Sequence, residues 1–140
     1  ARRFPSTLVV SLEELQPVAL IQSRNGLQAY DATGRALPLD PSRTPVDLPL
    51  VSRADTTVLR LLAQIQAVNR DLFARINEAQ RSGRDEVTLD LVAFSVRLRP
   101  DIGVERLVQI SSVEAELAHR QARPRELDFR FRDQVIARFQ

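Results

Sequence analysis

The residue types that most often do chemistry in proteins are scarce in this 140-residue chain. Its one imidazole, His119, lies in a charged segment, and no Gly-x-Ser-x-Gly motif offers a nucleophile to pair with it. Ordinary metal sites need several His or Cys ligands, and the chain has no Cys. Its four glycines stand singly and form no phosphate-binding loop. The sequence therefore predicts no enzyme, no metal site and no cofactor.

Carboxylates stand close together at two places, Glu13 with Glu14 and Glu114 with Glu116. General acid and base catalysis needs two such groups to point into one site. Residues one or two apart do not share a face of a helix, and adjacent residues of a strand point to opposite faces. We therefore expect these carboxylates to be solvated.

The last part of the chain has the most regular pattern of apolar and charged residues. Leu127, Phe129 and Phe131 alternate with charged residues, which is the pattern of a strand with one buried face. A turn and a second short strand follow. The charged residues of this hairpin are Asp128, Arg130, Arg132, Asp133 and Arg138. Such a charged face either binds a partner or keeps a sheet edge soluble, and the sequence pattern alone leaves both alternatives open.

A three-residue loop, residues 132–134, is the turn that we predict for this hairpin. It places Asp128 opposite Arg138 and keeps apolar residues opposite apolar ones. A two-residue loop would instead place Arg138 opposite Phe129, because a shift of one residue turns a whole strand over. With the longer loop, residues 135–139 form a sheet edge unless an earlier strand covers them.

Composition limits the remaining classes of function. The chain contains arginine but no lysine, and almost no other side chain titrates above neutrality. A small excess of arginine therefore gives the high isoelectric point of 10.3. The formal net charge is only +2, which lacks the basic excess that nucleic-acid binding needs. Without Cys there are no disulfides, which suits the cytosol and an oxidising compartment alike. No stretch approaches the roughly twenty apolar residues of a membrane span.

The first half of the chain predicts a meander of short strands. The expected strands cover residues 7–12, 18–22, 27–30 and 35–37. Asn25-Gly26 is a strong hairpin signal, and Asp31 and Gly34 bound a second turn. Four prolines between residues 38 and 49 predict an irregular crossing loop.

Helical spacing of apolar residues begins after a capping-box pattern at residues 52–55. The apolar positions are Val58, Leu61, Leu62, Ile65 and Val68. Beyond them the same spacing could continue to Gly83, but Leu72, Ala74 and Ile76 also alternate as in a strand. Periodicity alone leaves this segment undecided between helix and strand.

The second half of the chain predicts a hairpin and a second helix. Residues 82–85 are expected to form a turn, after which Val87 begins an alternating strand. The apolar phase slips near residues 91–93, which requires another turn or a bulge. Apolar residues at helical spacing then run from Val104 to Leu117, and Pro124 follows the helix.

Six short motifs occur in an order that resembles the FtsQ/DivIB family of bacterial cell-division proteins. They are Phe-Pro-Ser-Thr-Leu at residues 4–8, Glu-Leu-Gln-Pro-Val-Ala at 14–19, Leu-Gln-Ala-Tyr-Asp-Ala-Thr-Gly at 27–34, Leu-Pro-Leu at 48–50, Glu-Arg-Leu at 105–107 and Leu-Asp-Phe-Arg-Phe at 127–131. None is specific alone, but their order over nearly the whole chain is.

The resemblance implies an α+β fold, in which a largely antiparallel, curved β-sheet of meander and hairpins has two helices packed on one side. Residues 6–140 would form the C-terminal β domain, and residues 1–5 the tail of an upstream POTRA-like domain. The resemblance also implies a helix over residues 55–68 and a strand over residues 72–79. The architecture that the resemblance implies also has a membrane anchor upstream of the POTRA-like domain, and the lack of a first Met indicates a fragment or a processed chain.

The resemblance further implies a non-catalytic scaffold of the divisome, in the periplasm and held to the inner membrane by a single span. FtsB and FtsL would be its partners in septation, with FtsB adding a strand at the C-terminal edge by β-augmentation. The contact residues carried over by position are Arg130, Phe131, Arg132, Asp133, Gln134, Val135, Ile136 and Arg138, with Arg81 or Arg84 facing an acidic residue. The chain itself would be a monomer or a weak dimer.

Two other functions fit the same elements. One is an envelope or secretion-system adaptor domain that uses a different binding surface. The other is an arginine-rich nucleic-acid binder, which the small net charge disfavours.

Overall fold

The computed structural model of the protein describes residues 16–38 and 47–140. The strands are β1 (Ala19–Ser23), β2 (Gly26–Tyr30), β3 (Ala36–Leu37), β4 (Leu50–Val51), β5 (Ile76–Gly83), β6 (Glu86–Leu91), β7 (Ser95–Leu98), β8 (Glu126–Asp128) and β9 (Ile136–Arg138). The helices are α1 (Thr56–Val68), α2 (Arg70–Arg75) and α3 (Val104–His119).

Within these residues the strands form one sheet in the order β3-β2-β1-β4-β5-β6-β7-β8-β9. Most neighbours are antiparallel, and the parallel pairs are β1–β4, β4–β5 and β7–β8. The predicted α+β class with a mostly antiparallel sheet is confirmed.

One apolar core joins the helices to the sheet. Fully buried Leu62 and Ile65 of α1 and Leu107 of α3 belong to the same cluster as the inward residues of the strands. Val87 and Leu89 of β6 are among them, whereas the residues between and beside them are at least partly exposed. Alternate strand residues therefore face the helices, and the other face of β6 and its neighbours carries polar side chains.

The meander at the start of the described chain is confirmed. Arg24 and Asn25 connect β1 to β2, and Gly26 has φ +104°, a conformation that glycine adopts readily. In the next turn the buried carboxylate of Asp31 accepts hydrogen bonds from the N–H of Thr33 at 2.9 Å and of Arg35 at 3.0 Å. The predicted strand over residues 7–12 and most of the proline-rich loop lie outside the described residues.

Helix α1 begins where the sequence predicts, but the predicted capping residue is wrong. Asp55 is the N-cap, and its carboxylate accepts a hydrogen bond from the N–H of Thr57 at 3.0 Å. In the capping-box pattern of residues 52–55 the cap would be Ser52, three residues earlier. The first N–H groups of a helix have no partner within it, and the carboxylate of Asp55 satisfies one of them, which favours a helix start after this residue.

The segment after α1 differs from the predicted strand over residues 72–79. A short second helix, α2, occupies its first part, and β5 begins only at Ile76. Asn69 is the cause, because its Oδ1 accepts from Leu72 N–H at 3.2 Å while its Nδ2 donates to Leu107 O at 3.1 Å and Ser111 Oγ at 3.0 Å. The bonds to α3 fix Asn69 where α1 ends, and the bond from Leu72 N–H caps the new helix that starts after it.

The central hairpins follow the predicted pattern with one shorter turn. Strand β5 continues to Gly83, so the turn to β6 consists of Arg84 and Asp85 and not of residues 82–85. The predicted phase slip is confirmed as a tight turn between β6 and β7, in which Leu91 N–H donates to Phe94 O at 2.9 Å. Helix α3 also lies where predicted. No helix in the described part of the chain has the length and apolar character needed to cross a membrane.

The register of the C-terminal hairpin differs from the prediction by two residues. Asp128 lies opposite Ile136, not opposite Arg138, and Leu127 lies opposite Ala137. The loop therefore spans residues 129–135 instead of 132–134. A shift of two residues keeps every side chain on its predicted face, so the apolar and polar sides of the hairpin are as expected.

Candidate partner-binding edge

Strand β9 is the last strand of the sheet and pairs on one side with β8. Within the described residues nothing pairs with its other side, as the sequence predicts for this stretch. Its side chains Ile136, Ala137 and Arg138 are half-buried, and the apolar Ala137 packs on the main core. This outer side of β9 is one of the two sheet edges in the described part of the chain.

The main-chain groups that face this edge follow from the neighbouring pairing. Phe129 N–H, just after β8, donates to Arg97 O at 2.8 Å, and Arg125 O, just before β8, accepts from Ser95 N–H at 3.1 Å, so Leu127 between them directs its groups to β7. The N–H of Arg125 instead donates to Arg138 O of β9 at 2.7 Å. The even-numbered residues of β8 then face β9.

In an antiparallel pair, two residues directly opposite each other direct their N–H and C=O groups either both toward the partner strand or both away from it. Glu126 and Asp128 of β8 face β9, and their opposite residues Arg138 and Ile136 therefore face β8. Ala137, between them, directs its N–H and C=O away from the sheet. Ala137 is thus the central main-chain position of the open edge.

The loop that leads into β9 is bound to helix α3 by Arg106. Its Nη2 donates to Phe131 O at 2.8 Å and to Gln134 O at 3.1 Å. The guanidinium carbon also lies 5.1 Å from the centre of the Phe129 ring, within the range of a cation–π contact. These contacts hold the seven-residue loop and explain why it is longer than the predicted turn.

A cluster of alternating charges lies on the sheet face opposite the helices. We call it the edge ion cluster, and its members are Glu86, Arg97, Glu126, Asp128, Arg130 and Arg138. Arg138 Nη1 lies 2.8 Å from Asp128 Oδ2 and 2.5 Å from Glu126 Oε2. Arg130 Nη2 lies 2.6 Å from the same Asp128 oxygen, and its Nη1 binds Glu86. The cluster links β6, β7, β8 and β9.

Asp128 is the centre of this cluster and is fully buried. Burial disfavours its charged form, but hydrogen bonds from Arg130 and Arg138 outweigh burial and hold the pKa of Asp128 below its usual range. The hydrogen bond to Asp128 also raises the pKa of Arg130. Arg97 is the third arginine of the cluster. Its Nε lies 2.9 Å from Glu126 Oε1 and forms an ion pair, but its N–H does not point at that oxygen and forms no hydrogen bond with it. The cluster thus joins three arginines to three carboxylates.

The structure divides the predicted contact residues into two groups. Arg130, Arg138 and Arg81 form ion pairs within the chain, the last with Asp55. The others form the surface of the hairpin or of the β5–β6 turn: Phe131, Arg132, Asp133, Gln134 and Arg84 are exposed, and Val135 and Ile136 are half-buried. Of the charged face predicted for the hairpin, only Arg132 and Asp133 are exposed, because Asp128 is buried and its two arginine partners are half-buried.

Phe131 separates two clefts at the start of the edge. One, of about 490 Å³, is lined by residues that include Arg84, Arg130 and Phe131. The other, of about 400 Å³, includes Arg106 and Arg132. The fold thus brings Arg84 to the hairpin, whereas Arg81 faces Asp55 in a separate cleft.

The sequence reasoning missed the structural roles of two residues at this edge and the burial of a third, Asp128, which it had placed beside Arg138. Arg106 and Glu86 look like ordinary surface positions of a helix and a strand, and Asp128 looks like a solvated alternate position. Only the Glu-Arg-Leu motif drew attention to Arg106, without a role. No sequence signal marks Asp128 as buried, because its burial depends on side chains that are distant in the chain.

A larger cleft of about 860 Å³ lies elsewhere, between the β6–β7 turn and the end of α3. Its lining is mostly apolar, and its carboxylate, Glu114, is held by two hydrogen bonds of 2.7 Å from Arg75. Residues 16–38 and 47–140 contain no group of three or more His, Asp or Glu side chains that could hold a metal ion.

The fold and its C-terminal edge define an α+β domain whose sheet ends in a strand with no partner on its outer side among residues 16–38 and 47–140. The family model of the C-terminal domain of the cell division proteins FtsQ and DivIB matches residues 19–130. The chain belongs to the FtsQ/DivIB family of cell division proteins. The match ends at Arg130, so β9 lies beyond the matched residues.

A solved structure shares the fold. It is the major extracytoplasmic domain of the trans isomer of the cell division protein DivIB from Geobacillus stearothermophilus, at 18% sequence identity and a TM-score of 0.50. The similarity covers 76% of this chain and 96% of that one. No curated protein sequence matches the chain significantly.

Proposed function

We propose that this domain is a non-catalytic scaffold of the divisome, and that its edge strand β9 receives a strand of FtsB in a complex that also contains FtsL. Membership of the FtsQ/DivIB family supports a role in cell division. The observation that carries the finer proposal is the outward N–H and C=O of Ala137, which have no partner among the described residues.

An added strand would gain main-chain hydrogen bonds from this position. Open edges in natural proteins are usually blunted by charges, prolines or bulges. The outer side of β9 has none of these, because its arginine is already paired with carboxylates on the polar face of the sheet.

Apolar side chains at both ends of β9 support the same proposal. Phe131 is 39% exposed in the loop before the strand, and Phe139 is 49% exposed just after it. Large exposed aromatic side chains are frequent centres of protein interfaces. A strand placed along Ala137 would reach both rings, and its flanking residues would reach the cleft beside Arg84.

We place the domain on the periplasmic side of the inner membrane, carried by a single span outside this chain. The comparison that supports this location is the DivIB structure, which is described as an extracytoplasmic domain.

The experiment uses a fluorescein-labelled peptide from the periplasmic C-terminal segment of FtsB of the same bacterium. Fluorescence anisotropy measures its affinity for the 140-residue chain, and amide chemical shifts show where it binds. Ala137→Pro removes the outward N–H without removing a bond to β8, and we expect it to abolish binding. Phe131→Ala should weaken binding at least tenfold, as loss of a central aromatic contact of about 2 kcal/mol does.

Ala36→Pro is the matched control. Ala36 belongs to β3 at the opposite edge of the sheet, so the same substitution there should leave the affinity unchanged. Binding that survives Ala137→Pro in a folded variant, or peptide-induced shifts that avoid β9, would overturn the strand-addition proposal.

A further inference from the structure

Strand β9 is short, and its pairing with β8 depends on side chains as well as on the ladder. The strand has three residues and forms three register pairs with β8. An isolated pair of this length is marginal in water. Contacts that fix it in register therefore decide whether Ala137 presents its N–H and C=O in one orientation.

Asp128 contacts β9 on both sides of Ala137. Its main chain lies opposite Ile136, the residue before Ala137. Its buried carboxylate lies 2.8 Å from Arg138 Nη1, the residue after Ala137. A slip of β9 along β8 would carry Arg138 away from this carboxylate and leave a buried charge without one of its partners, which is costly.

The same carboxylate also ends β8. Its Oδ1 accepts from Arg130 N–H at 3.1 Å and from Arg130 Nε at 2.8 Å, which turns the chain out of the strand and into the loop. One side chain thus sets where β8 stops and where β9 lies beside it.

We propose that Asp128 is the positioning residue of the binding edge: its buried carboxylate holds Arg138 against β8 and so keeps Ala137 in the orientation that an added strand requires. This inference rests on the proposed function of β9. Asp128 acts through Arg138 and touches no partner itself, because it is fully buried.

The test is a double-mutant cycle of Asp128→Asn and Arg138→Met, measured with the labelled FtsB peptide on the 140-residue chain. Each single variant should lose roughly tenfold in affinity, the scale of a hydrogen bond between charged groups. The double variant should lose no more than either single one, because both act through one contact. Losses that multiply would show that Arg138 meets the partner independently, and would overturn the inference.

Hydrogen exchange of the free chain provides a readout without a partner. In Asp128→Asn the amides of Ile136 and Arg138, which face β8, should exchange roughly tenfold faster, while those of β5 and β6 keep their wild-type rates. A uniform acceleration across the sheet would indicate a general stabilising role and would also overturn the inference. If Asp128→Asn does not fold, the exchange test uses Arg138→Met alone. Unchanged exchange and affinity in Arg138→Met would then refute the inference.

Asp90→Asn is the matched control. Asp90 lies on the same face of the sheet in β6, is exposed, and forms no ion pair with another described residue. Its substitution should change neither affinity nor exchange at β9. A wild-type chain that fails to bind the peptide would refute the proposed function, whereas equal binding by wild type and Asp128→Asn would refute only the role of Asp128.

Discussion

The carboxylate of Asp55 accepts hydrogen bonds from Arg81 of β5, at 2.8 Å from its Nε and 3.1 Å from its Nη2. The same carboxylate caps α1 through the N–H of Thr57. The hydrogen bond from Arg81 lowers the pKa of Asp55, so the carboxylate stays charged at neutral pH. Arg81, which resemblance proposed as a partner contact, is thus bound to the start of the main helix.

Asp55→Ala should destabilise the chain by about 1–2 kcal/mol, because it removes the N-cap of α1. Urea unfolding followed by circular dichroism measures this. Arg81→Met keeps the cap and should cost less than Asp55→Ala. Asp101→Ala is the control, since Asp101 has a side chain that is 75% exposed and should change stability by no more than about 0.5 kcal/mol. Equal effects of Asp55→Ala and Asp101→Ala would contradict the capping role.

Arg106→Met should loosen the loop before β9. It removes the two hydrogen bonds to Phe131 O and Gln134 O, and we expect a loss of about 1–2 kcal/mol in the free energy of unfolding. Amides of residues 129–135 should exchange faster than those of the core. Arg120→Met, at a 71% exposed side chain of the same helix, should cost about 0.5 kcal/mol or less. An unchanged loop in Arg106→Met would show that it needs no support from α3.

Acid should weaken the fold partly through Asp128. The folded pKa of Asp128 is lower than its ordinary value of 3.8, so the unfolded chain takes up the proton first as pH falls. Its contribution to stability is present above that value and is lost as pH falls further, toward the folded pKa. The free energy of unfolding of Asp128→Asn should therefore decline less than that of the wild type between about pH 5 and pH 2. Parallel declines in the two proteins would contradict the assignment.

Two valines at opposite extremes of exposure test the described core. Val87 of β6 is fully buried, whereas Val92 in the next turn is 88% exposed. Val87→Ala should lower the free energy of unfolding by about 2 kcal/mol, through lost burial and an unfilled cavity. Val92→Ala should change it by about 0.5 kcal/mol or less. Thermal and urea unfolding of the two variants check this, and similar losses would place β6 differently in the sheet.

Local sequence patterns predicted much of the fold correctly. The alternation of Val87 and Leu89, the helical spacing before Val68 and the Asn25-Gly26 turn each depend on residues near in sequence, and the structure has these elements where the patterns predict them. The motif order implied the family that the match over residues 19–130 establishes.

The errors fall where a side chain bonds to a distant element. Asn69 splits the helical region because it bonds to α3, some forty residues later. The C-terminal loop is longer than predicted because Arg106, also on α3, binds two of its carbonyl groups. No local periodicity contains these contacts, since both partners are assembled only when the sheet and helices pack.

The sequence by itself determined which residues of the C-terminal hairpin share a face, because side chains alternate along any strand. It also determined that the hairpin is rich in charge and poor in catalytic groups. Only the tertiary structure decided that Asp128 is buried, that Arg130 binds it together with the predicted Arg138, and that Ala137 faces outward. Charge pairing and strand register depend on the residues of neighbouring strands. Four strands, β6 to β9, come from three parts of the chain and meet at the edge ion cluster.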